Sequence, residues 1–171
     1  RFSMRITSVV IFFLFVAITP VLSQDDLPED YLTADFHPAR RDSLRSLMPA
    51  NSVAIVTAYP TRNFSNDVEY VYHQNPDLYY FTGYKEPHSL LLIFKEPQTN
   101  TDGSTYKEVF FVQKRNPRAE QWTGRRLGVE GVKEKLKIAN VYNGDAFKSF
   151  TIDFSKFDKI LYDQIPSDVD N

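Results

Sequence analysis

HQNPDLYYFTGYKEPHSLLLIF, residues 73–94, decides the fold. Asn75 can cap a helix that starts at Pro76, because proline at the first helical position lacks only an N–H that would go unbonded there anyway. Leu78–Thr82 then supplies one or two turns. Gly83 closes them, since glycine enters the left-handed conformation of a helix stop at least cost. His88 follows Pro87 in a turn. Ser89–Phe94 is a continuous apolar run of strand length, the pattern of a strand covered on both faces.

The same alternation extends in both directions. Upstream, Phe36–Met48 reads as a helix with Pro38 in its first turn and Leu44, Leu47 and Met48 on one face. Pro49-Ala50-Asn51 stops it, and Ser52–Ala58 (SVAIVTA) is a buried strand. Tyr59–Asp67 is a polar loop, and Val68–His73 is partly alternating and extended. Downstream, Pro97–Ser104 carries the turn signal Asp102-Gly103, and Lys107–Gln113 (KEVFFVQ) returns as a third strand, which makes a hairpin. Asn116–Gly128 reads as a charged loop around Trp122. Val129–Leu136 is an amphipathic helix. Asn143-Gly144 turns the chain. Ala146–Phe157 is weakly helical, with Phe147, Phe150, Phe154 and Phe157 spaced along one face. Lys159–Tyr162 is a last short strand. Strands alternating with helices predict an α/β three-layer domain whose mixed sheet is flanked by helices.

The chain has 171 residues, 42% apolar and 25% charged, which excludes a disordered tail and a collagen-like repeat. The net charge of −2 argues against nucleic acid as a partner, because phosphate binding calls for a basic excess. Cysteine is absent, so there is no disulfide framework, thiolate zinc site or cysteine nucleophile.

The first 23 residues are of a different composition. Arg1 and Arg5 precede ITSVVIFFLFVAITPVLS, Ile6–Ser23, and a polar stretch follows. A basic start, an apolar centre and small residues before a polar stretch describe a secretory signal peptide cut after Ser23. The segment is slightly short for a membrane span and contains Pro20, so contact with a membrane is expected only if it stays uncleaved. Residues 24–35 read as a leader and residues 36–171 as the domain, exported to the periplasm or secreted. The chain ends directly after a strand, and its end reads as a cut through a larger protein.

Sites of chemistry are few. His37, His73 and His88 lack the helical spacing of a zinc site, and structural or exposed roles are expected of them. GxSxG and phosphate-cradling glycine loops are absent. Asn63-Phe64-Ser65 is a glycosylation sequon that matters only in a eukaryotic secretory pathway. Two stretches stand out. In residues 73–94, Tyr79, Tyr80, Phe81 and Tyr84 gather around a helix end; a core plug is the favoured reading, and a recognition rim the sharper one. In Lys114–Gly128, KRNPRAEQWTGRRLG, five basic residues surround Glu120 and Trp122. That composition suits either a solvated loop with one buried Trp or an interface, where Trp and Arg are enriched.

These two stretches, in this order, resemble the N-terminal domain of bacterial Xaa-Pro aminopeptidases (aminopeptidase P). The family pattern Y-R-Q-N-x-D-aromatic-aromatic-Y-F-T-G-aromatic-x-E-P is met here by Tyr72–Pro87, and R-D-x-x-x-E-x-W-x-G-R-R-L-G by Arg115–Gly128. The resemblance covers most of Phe36–Tyr162. It implies a creatinase/prolidase-type two-domain enzyme whose larger C-terminal "pita-bread" domain holds two divalent metal ions, usually manganese, on two Asp, one His and two Glu. Those ligands lie outside these 171 residues, so the chain has no catalytic residue and no metal ligand of its own, and alone it is expected to be inactive. The resemblance further implies homo-oligomers, peptide substrates with proline in second position, and an N-terminal domain that narrows the mouth of the active site. Tyr79, Tyr80 and Trp122 are then rim or interface residues, with Arg125 and Arg126 as interface charges. Some members place an aromatic against a neighbouring subunit's site, and Tyr79 is the position matched here. His73 stands where the family has Arg, and Leu78 where it has an aromatic. The alternatives are a prolidase-type dipeptidase, creatinase as a poorer match, and a standalone exported binding or assembly module.

Overall fold

The computed structural model describes residues 32–164 apart from 34, 67 and 151, and the expected signal peptide lies outside them. The chain order is α1 (Phe36–Leu47), β1 (Ser52–Thr57), β2 (Asn63–Ser65), β3 (Val68–Glu69), α2 (Pro76–Thr82), β4 (Leu90–Thr99), β5 (Thr105–Val112), α3 (Pro117–Thr123), α4 (Gly128–Leu136), β6 (Val141–Asn143), two 3-10 turns (Gly144–Ser149, Phe154–Lys156) and β7 (Lys159–Tyr162). Five strands form one sheet in the order β6-β5-β4-β1-β7, and β2-β3 form a small separate ribbon. The pairs β1–β4 and β4–β5 are antiparallel, whereas β1–β7 and β5–β6 are parallel, so the sheet is mixed as expected.

The central strands are apolar on both sides because both sides are covered. Side chains alternate across a strand. Ala54 and Val56, Leu91 and Ile93, and Phe110 and Val112 therefore meet one layer, and Val53, Leu92, Phe94, Val109 and Phe111 the other. The first layer is helical: Met48 just past α1, Leu78 of α2 and Val132 of α4 are buried there. Phe150, Ile152, Phe154 and Phe157 line the second. The four expected phenylalanines do pack against the sheet, since Phe147 also meets the Phe111 ring at 5.2 Å. They do so from 3-10 turns, however, not from the expected helix.

Other corrections have equally local causes. Leu44 and Met48 pack against the core as expected, but Leu47 is 83% exposed, and His37, Arg41 and Arg45 are buried on the same side of α1, at 4, 3 and 9% exposure. Glu108 explains this buried charge. It shares the parity of Phe110 and Val112 on β5, so it faces the helical layer. Its Oε2 accepts from Arg41 Nε at 2.8 Å and from Arg45 Nη2 at 3.0 Å. Arg41 also donates to the Phe81 carbonyl at 2.7 Å, and Arg45 to the Phe94 carbonyl at 3.2 Å. Asp42 pairs with Arg45 from the solvent side. Strand β4 continues through Pro97 to Thr99, where a turn was expected. Pro97 is tolerated because β1 pairs no further than Phe94, which leaves that edge without a partner for the missing N–H. Asp102-Gly103 does make the turn, with Gly103 N–H donating to Asn100 O at 3.0 Å. The segment Asn116–Gly128, expected as a loop, contains α3.

Candidate functional site

The helix start at Asn75 forms as its sequence demands. Asn75 Oδ1 accepts the Asp77 N–H at 2.9 Å, and its Nδ2 donates to the Thr57 carbonyl at 2.9 Å, which pins α2 to the end of β1. Gly83 ends the helix at φ +73°, donating its N–H to the Tyr79 carbonyl at 2.7 Å. The aromatic cluster divides at this point. Tyr84 is fully buried against Phe110, with ring centroids 5.2 Å apart, and Leu78 is fully buried beside it in the core. Tyr79 is half-buried and Tyr80 is 41% exposed. Both lean on the start of α1: Tyr79 stacks edge-on against His37 and Tyr80 against Phe36. The ammonium of Lys85 lies 5.6 Å from the Tyr79 ring centre. The core-plug reading thus holds for Tyr84, whereas Tyr80 stands at the surface.

The second stretch is built around one carboxylate. Asn116 caps α3 by accepting the N–H groups of Arg118 and Ala119 at 3.1 and 3.2 Å. Glu120 receives the Arg115 guanidinium through Nε at 3.2 Å and Nη2 at 2.9 Å, and the Asn116 N–H at 3.1 Å. The Arg126 backbone N–H bonds it as well. These bonds, Arg115 foremost, hold its carboxyl below the usual range. The Arg115 stem crosses Gly128, where a Cβ would sit 2.5 Å from Arg115 Cγ; at φ +61° the position suits glycine in any case. Trp122 projects from this framework at 89% exposure, so it is not the buried Trp that the loop reading allowed. Arg125 is exposed. Arg126 is half-buried, with its Nε lacking a hydrogen-bond partner.

Glu86 joins the two stretches. Its Oε1 accepts the Leu127 N–H at 2.8 Å, and its Oε2 accepts the Tyr84 hydroxyl at 2.9 Å. Its backbone carbonyl accepts Gln74 Nε2 at 2.8 Å, and Gln74 Oε1 accepts the Asn75 N–H at 2.8 Å. Of the five expected site residues, Tyr79 and Tyr80 therefore sit in the group around α1, and Trp122, Arg125 and Arg126 in the group around Glu86. The sequence reading missed a hollow of about 500 Å³ lined by Tyr59, Pro60, Arg62, Tyr70, Tyr72 and His73. The alternating aromatics Tyr70 and Tyr72 were the available signal. Among the described residues, no three His, Cys, Asp or Glu side chains converge as a metal site requires.

Burial pushes the Tyr72 phenol up to about 12, and burial together with the Glu86 charge pushes Tyr84 higher still. Both values lie above the 10.0 of an unfolded tyrosine, so the folded chain keeps protons that the unfolded chain gives up. The stabilisation is complete below pH 10 and is lost as pH rises through the folded values. Thermal melts at pH 9 and pH 11 should show a smaller alkaline loss for Tyr72→Phe than for the wild type. Equal losses would mean that this ring is solvated.

The domain is thus a mixed five-stranded sheet with helices on one face, joined at Glu86 to a loop that displays one Trp. The sequence matches the family model "Aminopeptidase P, N-terminal domain" over residues 37–162, and the chain belongs to that family. It is 36% identical over 118 residues to intermediate cleaving peptidase 55 of Schizosaccharomyces pombe, covering 69% of this chain and 24% of that protein. It is 39% identical over 99 residues to the Xaa-Pro aminopeptidase of Escherichia coli, covering 58% of this chain and 21% of that protein. The solved structure of aminopeptidase P from E. coli with the inhibitor Pro-Leu superposes with a TM-score of 0.64 at 29% identity, covering 77% of this chain and 29% of that one. The chain thus spans about a quarter of the length of these relatives.

Proposed function

We propose that this chain is the N-terminal, non-catalytic domain of an exported metallo-aminopeptidase that releases the first residue of peptides with proline second. The family match across residues 37–162 carries the reading. In it, the domain helps assemble a homo-oligomer and narrows the active-site mouth, with Trp122, Tyr79 and Tyr80 as aromatic walls and Arg125 and Arg126 as interface charges. An 89% exposed Trp on a loop held by several hydrogen bonds supports this role, because rigid aromatic anchors give up little entropy when they meet a partner. The metal ions, manganese by the family resemblance, belong to the catalytic domain, where they supply a nucleophile at neutral pH and a Lewis acid.

The test is an assay of the product of the whole reading frame, with manganese, on an Xaa-Pro-Xaa tripeptide and an Xaa-Pro dipeptide. Efficient tripeptide cleavage is expected, with none by the 171-residue chain alone. Cleavage confined to the dipeptide would make the protein a prolidase. A reading frame that stops at Asn171, with a stable monodisperse product, would make it a standalone module.

A further inference from the structure

We infer that Glu86 is the positioning residue for Trp122: its carboxylate latches the Trp122 loop to the core and fixes where the indole stands. The inference deepens the rim reading of Trp122 given above. The loop leaves the sheet after Val112 and returns to the helical layer at α4. On its outgoing side Arg115, Asn116 and Glu120 bond one another in a ring, and Lys114 makes a solvent-exposed ion pair with Asp145 of the first 3-10 turn at 3.6 Å. That ring fixes the local shape of the loop and says nothing about its place on the domain. On the returning side, the Leu127 N–H is held by Glu86 Oε1, 41 positions away in sequence.

The other oxygen of Glu86 is fixed in turn by Tyr84, whose ring is wholly buried against Phe110. The Glu86 backbone is tied through Gln74 to Asn75, itself buried and anchored on β1. The loop therefore meets the core through the Leu127 side chain, which packs against the helical layer, and through one charge-assisted acceptor with two partners, a bond type about twice as strong as its neutral counterpart. Four residues separate Trp122 from Leu127, too few for the indole to keep its place if that bond is lost.

Trp122 is the single tryptophan of the sequence, so its fluorescence reports on this loop alone. On the 171-residue chain, Glu86→Ala is expected to raise the amplitude of fast indole motion, read by time-resolved anisotropy well below the melting temperature, about twofold. Glu86→Gln keeps a carbonyl acceptor for Leu127 and should restore most of the wild-type anisotropy. A merely structural role would lower the melting temperature of both variants and leave the anisotropy of each folded form unchanged. That result overturns the latch, as does a Gln variant as loose as the Ala variant. The whole protein separates this inference from the reading beneath it. There, Glu86→Ala and Trp122→Ala should each raise KM for the tripeptide about tenfold with kcat nearly constant, and together no more than either alone. A loosened Trp122 with KM unchanged in both variants would support the latch and overturn the rim role.

Discussion

Replacing Glu108 by Ala is expected to lower the unfolding free energy by about 3–5 kcal/mol, the range found when one partner of a buried ion pair is removed. Arg41 would then lose its carboxylate partner and Arg45 would keep only Asp42 on the solvent side, their own side chains only 3 and 10% exposed. Neither can swing into water without giving up its bond to a strand or helix carbonyl, Phe94 for Arg45 and Phe81 for Arg41. Denaturant melts measure the loss, which corresponds to roughly 10 °C in melting temperature for a domain of this size. Glu108→Gln, which keeps an acceptor but no charge, should fall between the two. The triple change Arg41→Met, Arg45→Met, Glu108→Leu should be close to neutral, because the desolvation cost of the three charges disappears together with their attraction. A loss below 1 kcal/mol for the Ala variant would show that water reaches the pair and that α1 is held by its few apolar contacts instead.

That cluster also marks where the sequence stopped being legible. Strands β1, β4 and β5 were readable because a strand covered on both faces must be apolar throughout, and only burial produces such runs. Strand β7, an edge strand with Ile160 and Tyr162 exposed, was readable from the β-forming run Ile160–Tyr162 alone. Helix α1 was readable as a helix, and Leu44 and Met48 of its expected apolar face do meet the core; the buried charged stripe beside them was not readable. A stripe of His and Arg normally marks the wet face, and nothing local announces that Glu108, 67 positions from Arg41, waits beneath it. Strand β6 is three residues whose strand character comes from pairing with Phe110–Val112, so its own composition carried no signal. Helix α3 has no apolar periodicity because none of its residues is buried. Its start, Asn116-Pro117, nevertheless repeats the Asn75-Pro76 signal that placed α2 correctly, and could have placed it too. The motif residues Glu86 and Leu127 were both quoted from the sequence. Their hydrogen bond was out of reach, since a carboxylate meeting a backbone N–H leaves no pattern in side-chain chemistry.

Gly83→Ala should cost about 3 kcal/mol, from two sources that can be separated. The φ of +73° penalises any side chain with a Cβ by about 1–2 kcal/mol. A Cβ there would also sit 2.7 Å from His37 Nε2, and that ring has nowhere to go. Its Nδ1 lies 2.9 Å from the Tyr80 carbonyl, an acceptor only, so Nδ1 carries the proton and the ring orientation is set. Phe36 and Tyr79 stack edge-on against the same imidazole. Gly83→Asn isolates the collision, because Asn tolerates the left-handed region but brings the same Cβ, and it should recover only part of the loss. His37→Ala in the Gly83→Ala background isolates the dihedral, because it removes the ring and leaves the backbone strained. The double variant should therefore lose less than the two single losses combined, by about 1–2 kcal/mol for contacting residues. Additive losses would mean that α1 moves aside to make room, so that the α1–α2 joint is a soft contact. Tyr79 and Tyr80 stand on that joint, and a soft joint would leave the aromatic wall proposed for them without a fixed position.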